Sequence, residues 1–486
     1  MGTILSLAPQ NVWKHFYSLT QIPRPSGHVE KITEFLVNFG KGLGLESFVD
    51  GVGNVIIRKP ATPGMENRKS VILQAHMDMV PQKNNDTIHD FTKDPIETYI
   101  DGDWVKAKGT TLGADDGLGV ATIMAVLESK GLKHGPLEAL ITKDEETGMS
   151  GAFGLKSDVL KGEILLNLDS EEEGKLYIGC AGGVDITALL DYKEEEVTAD
   201  SVAMKITLKG LRGGHSGLEI NEGRANANKL LARIIRDMLI DFDCQLSSFE
   251  GGNMRNAIPR EAHAVLVFNA SDTEGLEDFI KDYEFEIAAE YTPIESGISL
   301  RIEQVEMPAT VIPEEIQDNL IDSLLACQNG VMRMIPIVPD TVETSSNLSI
   351  VKAGIGKVEV CILARSSCDT MKEFLANSLV SCFSMAGMKV IQSGEYSGWQ
   401  PNVDSPILHA MKLSYKQQFG VEPAVEVIHA GLECGIIGAT YPSLDMISFG
   451  PTLRSPHSPN ERANIPSVAK FYDFVVATLE QIPLKK

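Results

Sequence analysis

Ser70-Val71-Ile72-Leu73-Gln74-Ala75-His76-Met77-Asp78 is the stretch on which the fold turns. Its first six residues are a short apolar run of the buried-strand type. An imidazole and a carboxylate follow at the C-terminal end, two residues apart and so on one side of an extended segment. The arrangement recurs further along. Leu137-Glu138-Ala139-Leu140-Ile141-Thr142 reads as a strand and leads into Asp144-Glu145-Glu146, and Glu163 to Leu168 reads as a strand leading into Asp169. Gly117 to Leu127, rich in Ala, Val, Met and Leu, reads as a helix preceded by Asp115-Asp116 in a loop, and Val29 to Phe39 has helical spacing of apolar residues. Strands alternating with helices predict an α/β domain whose mostly parallel sheet is flanked by helices.

At 486 residues the chain exceeds one ordinary core, so two domains are expected. The pattern changes near Asp185. Ala203 to Lys209, Ala225 to Ile240, Glu261 to Asn269 and Thr273 to Glu290 read as strand, helix, strand, helix. A second series then begins with the strand Ser299 to Val305 and the helix Ile316 to Cys327. It continues through Lys357 to Arg365, Asp369 to Ala386 and Lys389 to Ser393, giving two consecutive α+β units of about 100 residues each. After Trp399 the α/β character returns and ends in a helix, Ala463 to Leu479. Residues 1–185 and 396–486 are thus expected to form one catalytic domain interrupted by an inserted domain, 186–395. Domain termini often lie close together, which makes such insertions tolerable.

Composition narrows the function. A formal net charge of −24 argues against nucleic acid or an anionic membrane as partner, because phosphate binding needs clustered Lys and Arg. No apolar run approaches the roughly 20 residues of a bilayer crossing. Met1 to Gln10 has no basic leader, so a signal peptide is not expected. Seven cysteines, an odd number without regular spacing, fit reduced thiols in a cytoplasmic protein. Glu171-Glu172-Glu173 and Glu194-Glu195-Glu196 read as solvated charge runs. His28, His89, His134, His263, His409 and His429 lack a ligand-type context and read as structural or surface residues. Trp13, Phe16 and Tyr17 have helical spacing and read as core.

Ligands of open α/β sheets bind outside the carboxyl ends of the strands. A lone histidine there is ordinarily structural, and a lone Asp-Asp-Gly is ordinarily a turn. Here His76, Asp115, Glu145 with Glu146, and Asp169 come from four elements to one edge of the sheet. Imidazole and carboxylate are what divalent metals use when water is to be activated, so the residues point to a two-metal hydrolase. Asp78 is placed to accept the second ring N–H of His76. Asp116 is placed to cap the helix that starts at Gly117.

The order H-x-D, G-A-D-D-G, E-E, L-D and a distal Ser455-Pro456-His457-Ser458 resembles a clan of dinuclear-metal aminopeptidases and deacylases. It is most similar to the bacterial aminoacyl-histidine dipeptidases, a likeness carried by Gly109 to Asp115, His134 to Glu138, Asp169 to Gly174 and Gly179 to Gly183. The resemblance implies a hydrolase-like α/β domain with a lid of two tandem ferredoxin-like units. It implies two divalent cations, zinc before cobalt or manganese, bridged by Asp115, with His76 and Asp169 on one and Glu146 and His457 on the other. It implies Glu145 as general base. Gly213-Gly214-His215-Ser216-Gly217 resembles a lid motif whose histidine stabilises the oxyanion, and Asn256, Arg365 and Gly431 resemble the residues that hold the substrate's terminal carboxylate. A cytoplasmic, homodimeric enzyme cleaving Xaa-His dipeptides such as β-alanyl-His is the implied activity. An N-acyl-amino-acid deacylase or tripeptidase is the rival within the clan, and a metal-binding protein that has lost catalysis is the rival outside it.

Overall fold

The computed structural model describes residues 3–485; Met1, Gly2 and Lys486, at the ends of the expected catalytic domain, lie outside them. The chain divides into two units. One comprises the N-terminal part through Gly179, Trp399–Val427 and the C-terminal part from Leu432, and the other Cys180–Gly398 with Ile428–Gly431. The boundaries fall a few residues outside those expected from the sequence. The reason is the strand Gly182–Asp191, which pairs with Lys357–Ser366 on one side and Lys389–Tyr396 on the other and so belongs to the second unit's sheet. Ile428–Gly431 joins that unit because the Ala181 N–H reaches the carbonyls of Ile428 and Ala430, each at 3.1 Å.

In the first unit an eight-stranded sheet runs in the order Glu46–Val49, Val55–Lys59, Leu137–Thr142, Val71–His76, Ile164–Asn167, Asp445–Ser448, Lys175–Cys180, Ala424–Ile428. The four central strands, from Leu137–Thr142 to Asp445–Ser448, are parallel. Val55–Lys59 and Lys175–Cys180 flank them antiparallel. The expectation of a mostly parallel sheet is corrected to a mixed sheet with a parallel centre. Every residue of Val71–His76, Leu137–Thr142 and Ile164–Asn167 is buried, as befits strands covered on both faces. The helix Ala114–Glu128 is apolar and buried around nearly its whole circumference. Against it packs Gln10–Thr20, where Trp13 and Phe16 are fully buried and Tyr17 half-buried, close to the core role their spacing suggests.

The second unit corrects the sequence reading more deeply. Its sheet runs Ser299–Gln304, Ser201–Lys209, Ala262–Asn269, Cys244–Gly251, Val342–Gly354, Lys357–Ser366, Gly182–Asp191, Lys389–Tyr396, with Gly330–Met334 paired to Val342–Gly354 off this path. Ser201–Lys209, Cys244–Gly251, Ala262–Asn269 and Ser299–Gln304, with the helices Ala227–Asp241 and Leu276–Tyr291, form one βαββαβ half. The other half starts at Gly182–Asp191 and resumes only with the helix Glu314–Ala326 and the strands that follow. The halves are therefore nested, not tandem. Ser299–Gln304 closes the first series by pairing with Ser201–Lys209, whereas the sequence pattern made it the start of the second.

Candidate metal and catalytic site

The parallel strands end, in sheet order, at Thr142, His76, Asn167 and Ser448. His76 is the last residue of its strand, Glu145 and Glu146 follow Thr142, and Asp169 follows Asn167. Asp115 arrives from the turn before the helical part of Ala114–Glu128, where Asp115 and Asp116 have non-helical backbone angles and are joined by a cis peptide.

These elements place Asp115 between two histidines. Its Oδ1 lies 3.1 Å from His76 Nε2 and its Oδ2 lies 3.1 Å from His457 Nε2. On the first side Asp169 Oδ1 is 3.5 Å from His76 Nε2, and on the second Glu146 Oε2 is 3.0 Å from His457 Nε2. His76, Asp115 and Glu146 offer ligand atoms within 4.8 Å of one another. The second oxygen of Glu146 is buried with no hydrogen-bond partner. A buried carboxylate oxygen left bare is costly unless a cation takes it up. The donor set, two imidazoles and three carboxylates, is of the type that suits zinc and its neighbours. The residues present fit divalent-cation binding.

Charge in the cluster follows from its crowding. Hydrogen bonds to the Asp115 and Glu146 carboxylates push His457 up to about 11. Burial lifts Glu145 well above the usual carboxylate range, against the pull of His76 and with Asp169, Glu433 and Glu146 pushing the same way. Burial would also lift Asp78, but hydrogen bonds from His76, Ser26 and the Glu145 amide bring it down to about 2. Asp78 accepts from Ser26 Oγ at 2.7 Å and from the Glu145 N–H at 3.1 Å. Its contact with His76 Nδ1 is shared: the ring nitrogen is 3.5 Å from the carboxylate and 3.2 Å from the Asp78 carbonyl oxygen. Asp116 is engaged by backbone N–H groups. It caps the helix by accepting the Gly119 N–H at 3.1 Å, and it takes the backbone N–H of His76 at 3.3 Å.

The second unit gathers a different set. His215 and Asn256 are brought side by side by the short ladder in which His215 pairs with Ala257. The His215 ring accepts the N–H groups of Gly217 and Leu218 at Nδ1, at 3.1 and 3.0 Å. Burial and the Arg365 charge hold it down to about 4. The neutral ring therefore carries its proton on Nε2, as a donor. Asn256 is exposed and Gly431 half-buried. Arg365 is buried, donates from Nη1 to Tyr396 Oη at 3.0 Å, and keeps a buried Nε without a partner. His429, read from the sequence as structural or surface, is buried in this group and bonds Ser345 Oγ through Nε2 at 2.7 Å.

A family model described as Peptidase family M20/M25/M40 matches residues 72–481. The chain belongs to that family. This M20 peptidase is 46% identical over 485 residues, 100% of both chains, to the cytosol non-specific dipeptidase of Escherichia coli K12. Its structure is similar to that of the aminoacylhistidine dipeptidase from Vibrio alginolyticus, with a TM-score of 0.94, 47% identity and coverage of 100% and 99% of the two chains. The aminopeptidase PepT of Bacillus cereus shares the fold, with a TM-score of 0.58 at 17% identity over 98% and 99% of the chains.

Several residues of the M20 site carry no sequence signal of the strand-end kind. Glu461 is buried, and its carboxylate accepts the backbone N–H groups of Leu112, Gly113, Ala114 and Asp115 at 2.7, 2.9, 2.7 and 3.2 Å, fixing the turn that presents Asp115. Arg24, also buried, donates to the carbonyls of Met77, Asp78 and Gly113. Beside these candidate ligands a chain of buried polar groups crosses the strand ends. Glu433 Oε2 accepts from Thr142 Oγ1 at 2.6 Å and Gln74 Nε2 at 2.7 Å. Asn167 donates to Gln74 Oε1 and accepts from Ser448, which meets Ser170 Oγ at 2.6 Å. Each central parallel strand contributes one member. A polar residue within an apolar strand (Gln74, Asn167) was the available clue.

The run Glu171-Glu172-Glu173 is half-buried rather than fully solvated. Burial, with Asp115 and Asp169 nearby, raises Glu171 to about 8, while Glu172 pairs with Arg454 at 2.7 Å and Glu173 accepts from Tyr415. Glu195 and Glu196, in contrast, are exposed.

Proposed function

We propose that this M20 peptidase is a dipeptidase whose substrates include Xaa-His dipeptides such as β-alanyl-His. Two whole-length likenesses, to a non-specific dipeptidase and to an aminoacylhistidine dipeptidase, support that substrate class. The observation that carries the chemistry is the Asp115 carboxylate facing a histidine with each oxygen. His76 and Asp169 would hold one divalent cation, Glu146 and His457 the other, and Asp115 both, zinc being favoured over cobalt or manganese for this donor set. Such cations, when bound, supply Lewis acidity at the scissile carbonyl and acidify water.

The chain's own groups do the rest. Glu145 takes the proton from the attacking water as the carbon–oxygen bond forms. It returns that proton to the amine nitrogen as the carbon–nitrogen bond breaks. Asp78 fixes His76 and, through the Glu145 N–H, the backbone of the base. His215 Nε2–H is the donor assigned to the oxyanion. Arg365, Asn256 and the backbone at Gly431 are assigned to the substrate's free carboxylate. The buried guanidinium with an unpartnered Nε supports this, because such a cation is costly without an anion. Fixing that carboxylate limits the substrate to very short peptides. In this reading the second unit is a lid of two ferredoxin-like halves, and the enzyme is a cytoplasmic homodimer. Among the described residues no helix is long and apolar enough to cross a membrane.

Purified protein loaded with Zn²⁺, Mn²⁺ or Co²⁺ should hydrolyse β-alanyl-His and other Xaa-His dipeptides faster than tripeptides or N-acyl amino acids. Glu145→Ala should lose about 10²–10⁴-fold in kcat with metal content unchanged. Faster cleavage of N-acyl amino acids would assign a deacylase, and absence of turnover with any of the metals would leave only a binding protein.

A further inference from the structure

Ser345, Arg365, Gly183 and Tyr396 form one transverse row in the second unit's sheet. Ser345 pairs with Arg365, Arg365 with Gly183, and Gly183 with Tyr396. Directly paired residues present their side chains on the same face, and adjacent strands lie about 4.8 Å apart. Arg365 and Tyr396 are thus two strands apart, with a glycine between them. The phenol uses that gap. A Cβ built on Gly183 would lie 2.7–2.8 Å from Cε1, Cζ and Oη of Tyr396, so the ring lies over the place a side chain would occupy. Its Oη there accepts the Arg365 Nη1–H at 3.0 Å.

The tyrosine is itself held. Lys372, 1% exposed, donates from Nζ to the Tyr396 carbonyl at 2.6 Å and to Asp369 Oδ1 at 2.9 Å. The same Asp369 oxygen accepts the Gly398 N–H at 2.9 Å, so the backbone is fixed on both sides of the ring. At the other end of the row Ser345 Oγ holds the His429 ring at 2.7 Å. The guanidinium is bordered on both sides by anchored side chains, and its Nε edge is left without a protein partner.

We propose that Tyr396 is a positioning residue that sets the plane of the Arg365 guanidinium for a substrate carboxylate, and that Gly183 is glycine so that the phenol can reach it. This rests on the assignment of Arg365 to the substrate's carboxylate made above. A guanidinium free to rotate offers its fork in many orientations, whereas one donor tied to a fixed phenol leaves a defined pair for two-pronged carboxylate binding. Tyr396 itself need not touch substrate. Its influence should reach only substrates that carry the free carboxylate.

The test compares a dipeptide with its C-terminal amide in metal-loaded wild-type enzyme, Tyr396→Phe, Gly183→Ala and Arg365→Ala. Loss of one hydrogen bond to a charged group corresponds to about tenfold. Tyr396→Phe should therefore raise KM for the free dipeptide about tenfold with kcat changed less than twofold, and leave kcat/KM for the amide unaltered. Gly183→Ala, which displaces the ring, should reproduce that split if either variant melts near the wild-type temperature. Arg365→Ala should abolish the discrimination between acid and amide. An unchanged KM in Tyr396→Phe, alongside a raised KM in Arg365→Ala, would overturn the role of Tyr396 and leave the carboxylate assignment standing. An equal loss on dipeptide and amide would also overturn it, as general loosening of the sheet. If Arg365→Ala itself keeps the discrimination, the carboxylate assignment fails first.

Discussion

Asp115 and His457 stand 342 positions apart in the chain, yet Asp115 Oδ2 lies 3.1 Å from His457 Nε2. The other Asp115 oxygen is equally close to His76, so one side chain is common to both groups of proposed ligands. That sharing makes the two histidines unequal to Asp115 in what their loss would do. If the proposed two-cation site is right, wild-type protein should bind two cations, His457→Ala one tightly, and Asp115→Ala neither tightly. Metal-to-protein ratios after desalting, read by elemental analysis, check this. Two retained ions in Asp115→Ala would remove the bridging role.

Glu433 should matter although it lies outside the ligand set. Its Oε2 is the acceptor for both Thr142 and Gln74, whose strands lead to Glu145 and His76. Glu433→Leu takes the shorter acceptor from a buried amide and a buried hydroxyl and leaves each only a 3.3 Å contact, Gln74 Nε2 to Thr142 Oγ1 and Thr142 Oγ1 to the Ala75 carbonyl, a loss of about 1–3 kcal/mol. Supporting partners of metal ligands are typically worth about 10–100-fold in affinity or activity. Glu433→Gln keeps an acceptor and should retain most of the metal affinity that Glu433→Leu loses, as followed by competition with a chelating dye. Equal affinity in Glu433→Leu and wild type would reduce the polar chain to a packing feature.

Glu461 holds four backbone N–H groups of the Asp115 turn in a fully buried setting. Leaving a buried donor without its acceptor costs about 1–3 kcal/mol. Glu461→Ala should lower the melting temperature of the metal-free protein and should also weaken metal binding, because the turn that presents Asp115 is released. A variant that melts as wild type would show that water replaces the carboxylate without cost.

His429 gives a pH dependence with a defined sign. Burial, together with the charge of Arg365, pulls its pKa down to about 3 from an ordinary value near 6.5. The unfolded chain therefore binds a proton that the folded chain refuses. The stabilisation is present in full above about pH 6.5 and is lost as pH falls toward 3, at about 1.4 kcal/mol per pH unit. Between pH 6.5 and 4.5 the melting temperature of His429→Asn should fall less steeply than that of wild type. Parallel curves would mean that His429 is accessible to protons in the folded state.

What the sequence disclosed depended on whether a residue's signal was local. His76, Asp115, Glu146, Asp169 and His457 stand beside strands or turns whose own pattern is readable, and the structure brings them together. Glu461 and Arg24 act through backbone atoms distant in the chain, so nothing adjacent to them marks the role. Gln74 and Asn167 are polar residues in strands buried at every position, an anomaly that was legible but unexplained until Glu433 and Ser448 came alongside. The second unit misled for a related reason. Local patterns rank elements along the chain, whereas strand pairing decides membership, and Gly182–Asp191 belongs with partners that begin beyond residue 340. The charge run at Glu171 was misread because composition reports charge and not depth.

The nested half of the second unit enters at Ser201–Lys209 and leaves at Ser299–Gln304, and these two strands are neighbours, with Met204 opposite Gln304. A segment whose two ends meet is a cassette. It joins the rest of the sheet along a single edge, where Cys244–Gly251 pairs with Val342–Gly354, so a change in its size need reach the other strands only through that edge, while the strand-end acids stay where they are.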